Sequence, residues 1–199
     1  MKKYIVPTIV LMLVAAAIFI RYQIVAPAGA AARNLEAING ITVGTTTEAE
    51  LLGRDAFQTA DRQCYEAECF YHMETENKFL NRLHLAPKTH MSTVVSVNNG
   101  MVTGVLVFTM KWGLPPISLR QVLKMPPECS SNPCARPMVP PNKVLASISV
   151  VFTRDSMMRN QMPEAVNAEC FSRLHACSTY AELLPVTKSL NLDAIAALK

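Results

Sequence analysis

Residues 91–110 read Met91-Ser-Thr-Val-Val-Ser-Val97-Asn-Asn99-Gly100-Met101-Val-Thr-Gly104-Val-Leu-Val-Phe-Thr-Met110. Two runs rich in β-branched residues flank Asn99-Gly100, a dipeptide that accepts the positive φ angles of a tight type I′ turn. The stretch therefore predicts an antiparallel hairpin. In its second strand Val102, Gly104, Leu106 and Phe108 alternate with Thr103, Val105, Val107 and Thr109. Apolar residues fall on both faces, which predicts a central strand.

The neighbouring segments fill out an α+β fold, an antiparallel sheet with short helices packed on one face. Upstream, Glu68 to Glu74 reads as an aromatic strand, and Thr47 with Glu50, or in an equally legal frame Thr45 with Glu48, forms a capping box that starts a two-turn helix with Leu51 and Leu52 as its core-facing pair. Leu35 and Ile38 mark a small helix before Asn39-Gly40. Downstream, Phe79, Leu80 and Leu83 are spaced as on a helix. A loop over 113–141 holds 8 of the 13 prolines. Inside it, Ser118 and Gln121 form another capping box ahead of Val122 and Leu123. Lys143 to Thr153 reads as a strand, and helices are expected at 164–174, 180–184 and 190–198.

The amino-terminal end has a different character. Lys2 and Lys3 precede an uncharged apolar run from Tyr4 to Ile20, closed by Arg21. Its length is at the lower limit for a membrane-spanning helix, and Ile24-Val25-Ala26 extends it if Arg21 snorkels. Residues 1–25 are read as a transmembrane signal-anchor, 26–33 as a tether and 34–199 as an extracytoplasmic α+β domain. Cleavage near Ala28-Gly29-Ala30 is the competing reading. No cysteine follows the run, which excludes a lipoprotein anchor. The flanking charges favour the amino terminus inside only slightly.

Cysteines decide the compartment. Six fall in three close couples, Cys64/Cys69, Cys129/Cys134 and Cys170/Cys177. Fifteen pairings are possible, and the nearest-neighbour scheme is the one with the shortest loops to close. Locally coupled cysteines behind an anchor point to an oxidising space, the periplasm or exterior, with the anchor in the inner membrane. The rival reading is metal, with Cys64, Cys69 and His72, and Cys129 with Cys134, at spacings tolerable for zinc; free buried thiols are the third.

The chain has 199 residues, half of them apolar, and 19 basic against 15 acidic residues. Disorder and a collagen-like chain are excluded. Once Lys2, Lys3 and Arg21 are assigned to the membrane flanks, the remaining charges nearly balance, and nucleic acid loses its support as a partner.

Catalytic grammar is thin. His72, His84, His90 and His175 stand in no known catalytic arrangement, and there is no nucleophile elbow, zinc-protease helix or phosphate-cradling glycine loop. Glu66/Glu68 and Glu74/Glu76 have the period-two spacing that puts both members on one strand face, where they would suit a cation or plain solvation. Lys111-Trp112-Gly113-Leu114-Pro115-Pro116 carries the one tryptophan, Trp112, either as a recognition tip or as a cap on the sheet. No catalytic residue and no cofactor is assigned.

Two segments share an order of events, a capping box, a cysteine couple and a strand, starting at Thr47 and again at Ser118. They are either a tandem repeat or a chance recurrence. Gly44-Thr-Thr-Thr-Glu-Ala-Glu-Leu-Leu-Gly53 resembles the opening of small outer-membrane-assembly modules of the BamE/SmpA type. More broadly it is similar to the helix-pair-plus-sheet modules that include the β-lactamase-inhibitor proteins. The resemblance implies a sheet used as a protein-binding platform. The expected function is a membrane-anchored, non-enzymatic envelope module with a protein partner. The alternative is a metal-dependent envelope enzyme using Cys64, Cys69 and His72 or the strand glutamates.

Overall fold

The computed structural model describes residues 2–76, 90–111, 114–138, 147–153, 166–171, 177 and 179–184. Its described strands are β1 (Asp61–Tyr65), β2 (Glu68–Glu76), β3 (His90–Asn98), β4 (Met101–Lys111), β5 (Leu114–Val122), β6 (Cys134–Met138) and β7 (Ser147–Thr153). They form one sheet in the order β1-β2-β3-β4-β5-β7-β6. The helices are α1 (Lys2–Ala37), α2 (Glu48–Leu52), α3 (Asp55–Gln58) and α4 (Tyr180–Leu183), with a 3-10 turn at Ala168–Phe171. The fold is α+β, with one long apolar amino-terminal helix.

The β3–β4 hairpin forms as its sequence dictates. Asn99 (φ 51°) and Gly100 (φ 74°) take the left-handed conformation that a type I′ turn needs. β4 lies between β3 and β5, as expected for a strand apolar on both sides. The alternation along β4 is interrupted, however. Ser96 faces Gly104 and Val97 faces Val102, so Thr103 is an extra residue. This bulge brings Val102 onto the same buried face as Val105, Val107 and Thr109. Gly104 suits the bulge, because a Cβ there would stand 2.8 Å from Ser96 Oγ.

The sheet is mixed, because β5 and β7 run parallel. After β5 the chain crosses past one strand position to lay down β6, and β7 then fills the gap, antiparallel to β6. The Ser118 capping box does not start a helix; Ser118 to Val122 belong to β5. Ile117, Leu119 and Gln121 are buried with period-two spacing between β4 and β7, and this pairing overrides a local helix signal. Pro115 and Pro116 fall where the β4–β5 register is irregular, so their missing N–H groups break no regular ladder. The expected proline-rich loop thus contains β5 at one end and β6 at the other. The second segment also has no counterpart of α2.

Residues 26–33, read as a tether, are helical, because α1 runs without a break from Lys2 to Ala37. Five of the seven residues from Ala26 to Ala32 are alanine, the best helix former, and the helix is fixed downstream by packing. Ala31, Leu35 and Ile38 recur at helical spacing and are buried. This end of the helix packs against β2, β3 and the turn at Ala168–Phe171. Asn34 Nδ2 donates to Thr75 Oγ1 at 2.8 Å. By contrast, Ile9 to Val14 and Ile18 to Ile20 stand exposed, as residues facing lipid would. By length and apolarity this helix is a candidate membrane span.

The core lies on one face of the sheet. Tyr71, Met73, Met91, Val95, Val97, Val105, Val107, Ile117, Leu119, Ile148, Val150 and Phe152 meet Leu51, Phe57, Phe171, Tyr180 and Leu183 from the helices. α2 is placed by its predicted capping box, in which Glu50 N–H donates to Thr47 Oγ1 and Thr47 N–H to Glu50 Oε2. Gly44 N–H donates to Val102 and Glu48 N–H to Gly100, so this segment is fastened to the hairpin tip. α4 begins with the same capping box, built from Thr179 and Glu182.

Candidate functional site

The alternation that builds the core also produces a second face. On β2, Tyr71, Met73 and Thr75 turn inward, which leaves Phe70, His72 and Glu74 on the opposite side. Cross-strand pairing extends that side into continuous rows. Asp61, His72, Val94, Leu106 and Arg120 form one row, and Glu74, Ser92, Phe108 and Ser118 the next. Phe70, His72, Val94, Leu106 and Phe108 are half-buried, and Tyr65 is 66% exposed. Ring centroids lie 6.4 Å apart for Tyr65–Phe70, 6.5 Å for Phe70–His72 and 6.5 Å for His90–Phe108. Aromatic and aliphatic groups are thus interleaved with serines and charges over β1 to β4.

A cleft of about 940 Å³ adjoins this face at the β1 edge, lined by Arg33, Asn34, Asp55, Asp61, His72 and Glu74 among others. Its walls come from α1, α3, β1 and β2, so the helix emerging from the apolar span forms one side of it.

On the core side of the same edge, Arg62, Glu48 and Tyr71 form a polar cluster. Arg62 Nη2 donates to Glu48 Oε1 at 2.9 Å, and the Tyr71 hydroxyl donates to the same oxygen. The guanidinium lies 5.6 Å from the Tyr71 ring centroid. The Tyr71 phenol is pushed up to about 12, first by burial and then by the Glu48 carboxylate, with Arg62 opposing. The Glu50 carboxyl is held below its ordinary value by the Thr47 N–H and hydroxyl that it caps. Sequence reasoning missed this cluster, since Glu48 and Tyr71 are 23 positions apart and no motif links them.

The three cysteine couples are bonded as nearest neighbours, Cys64–Cys69, Cys129–Cys134 and Cys170–Cys177. Cys64 and Cys69 face each other across β1 and β2. Bonded to each other, they offer no thiolate pair to zinc, which corrects the Cys64/Cys69/His72 reading. Glu66 sits in the β1–β2 turn with φ 54°, so Glu66 and Glu68 do not share a strand face. Glu74 and Glu76 both lie on β2. Among the described residues, no three His, Cys, Asp or Glu side chains are grouped to hold a metal ion. His72 and His90 belong to the aromatic face. Trp112, His84 and His175 lie outside the described residues, as do the helices expected at 77–83 and 190–198 and the start of the strand expected from Lys143. Compared with known proteins, the chain matches no family model, no curated protein and no solved structure.

Proposed function

We propose that the chain is a single-pass inner-membrane protein whose carboxy-terminal domain faces the periplasm or exterior. There it acts as a non-enzymatic module that holds an envelope protein on the open face of its sheet. The observation that carries this reading is the aromatic face of β1 to β4, where Tyr65, Phe70 and Phe108 interleave with His72, His90, Ser92 and Glu74. Aromatic residues are enriched at the centres of protein interfaces because they bury a large area at little cost in conformational freedom. The candidate span and the three disulfides support a domain held outside the cytoplasm. The resemblance of residues 44–53 to outer-membrane-assembly modules agrees with a sheet that serves as a platform.

The test is cross-linking in intact cells followed by capture of the tagged full-length protein, comparing the unaltered chain with Phe70→Ala and Phe108→Ser. A specific envelope protein recovered with the unaltered chain and depleted at least tenfold by both substitutions is expected. Equal recovery with all three proteins overturns the reading.

A further inference from the structure

We propose that the Cys64–Cys69 bridge is a thiol-exchange site, the disulfide in this chain that a dithiol reductant opens first. The three bridges differ in access. Cys64 is exposed, on β1, whose five residues are all exposed, and Cys69 is partly exposed on β2. Cys129 is partly exposed but its partner Cys134 is 7% exposed, and Cys170 and Cys177 are 1% and 3% exposed, so only the Cys64–Cys69 bridge has an exposed sulfur-bearing residue. A reductant therefore reaches Cys64 Sγ without any opening of the fold.

The second observation is the charge beside the other sulfur. Arg62 Nη2 lies 3.6 Å from Cys69 Sγ. The guanidinium is held there by Glu48 and by the face of Tyr71. A fixed cation stabilises a thiolate, and a disulfide opens faster when the departing sulfur is the better thiolate. The asymmetry sets the direction of attack. The thiolate of the reductant attacks exposed Cys64 Sγ and forms a mixed disulfide there, while the electron pair of the broken bond leaves on Cys69 Sγ beside Arg62. The reductant's second thiol gives its proton to solvent and attacks the reductant's own sulfur in the mixed disulfide. It closes the reductant into a disulfide and releases Cys64 as a thiolate, which takes a proton from solvent. The reductant is oxidised by two electrons and the cysteine couple is reduced by two.

Reduction unfastens an edge without dissolving the fold. The bridged residues are only five apart, and the β1–β2 ladder from Asp61↔His72 to Tyr65↔Glu68 does not depend on the bridge.

The experiment uses the full-length protein in detergent, treated with limiting dithiothreitol, quenched at intervals with an alkylating agent and read by peptide mass analysis. Cys64 and Cys69 are expected to be labelled before the other four. Arg62→Gln is expected to slow that labelling by more than about twofold, because the departing Cys69 sulfur loses its neighbouring cation. Arg62→Lys, which keeps a cation near the sulfur, is expected to stay within twofold of the unaltered rate. The order of opening in the unaltered protein is decisive without any variant, and another couple opening first overturns the proposal. So does an Arg62→Gln rate equal to or above the unaltered one, the outcome if Arg62 merely holds β1 in place.

Discussion

The most exposed consequence of the fold concerns where the folded domain begins. Because α1 carries Ala31, Leu35 and Ile38 into the core, a chain started at Asn39 loses part of that core, whereas one started at Ile24 keeps it. Leu35 and Ile38 are each 3% exposed and Ala31 is fully buried. Burying a side chain of the first kind is worth about 1.5–3 kcal/mol and a methyl about 0.8 kcal/mol. The three together contribute about 4–7 kcal/mol, and the Asn34–Thr75 hydrogen bond adds about 1 kcal/mol. A domain of this size has a total stability of about 5–15 kcal/mol, so the loss consumes much of it. The assay is urea unfolding followed by circular dichroism, without reductant, on chains started at residues 24 and 39. The shorter chain should unfold at a much lower urea concentration or show no cooperative transition. Leu35→Ala in the longer chain should cost about 2–5 kcal/mol. Two chains with the same midpoint would refute the packing role of α1, whatever the behaviour of the point variant.

Other outcomes follow from the same packing. The phenol of Tyr71 ionises near 12 in the folded protein but at its ordinary value of 10.0 when unfolded. Between those values the native state binds more protons, so its full contribution is present below pH 10 and stability falls as pH rises through that window. Tyr71→Phe should flatten this alkaline fall, measured as urea midpoint against pH; an unchanged slope would exclude Tyr71 as its source. Leu51→Ala should cost about 2–5 kcal/mol, whereas Leu52→Ala, its 39%-exposed neighbour on α2, should cost under about 1 kcal/mol; equal midpoints would count against the placement of α2. Gly104→Val should cost about 1–3 kcal/mol, because its Cβ meets Ser96 Oγ at 2.8 Å, and a wild-type melting temperature would show that the bulge yields freely.

The features legible in the sequence are those set within a few residues. Asn99-Gly100 makes its turn, Thr47 with Glu50 makes its cap, and each cysteine finds the nearest cysteine. The aromatic run from Phe70 to Met73 also marked β2. What was not legible depends on partners far along the chain. Ser118 to Gln121 has a legal cap but becomes β5, because β4 and β7 supply neighbours on both sides. Residues 26–33 have the composition of a linker, yet they are helical between an apolar run and the docked residues Ala31, Leu35 and Ile38. The aromatic face of β1 to β4 follows from strand order, and strand order is a property of the whole sheet. The Arg62–Glu48–Tyr71 cluster joins three elements through side chains alone, and no local pattern announces it.

The unbroken course of α1 has a geometric consequence. A helix turns about 100° and advances about 1.5 Å with each residue. Ten positions, with Pro27 among them, lead from Arg21 to Ala31, so if the candidate span is seated in a membrane a straight helix sets the packed end roughly 15 Å farther along the axis at one azimuth. Inserting one alanine between them swings the aromatic face more than a quarter turn about the membrane normal, with little change in height. Inserting four brings it close to its original bearing and about 6 Å farther out. For a protein whose partner also sits in or on the membrane, the compass heading of the domain is thus written in the number of residues in that stretch, as much as in their identity.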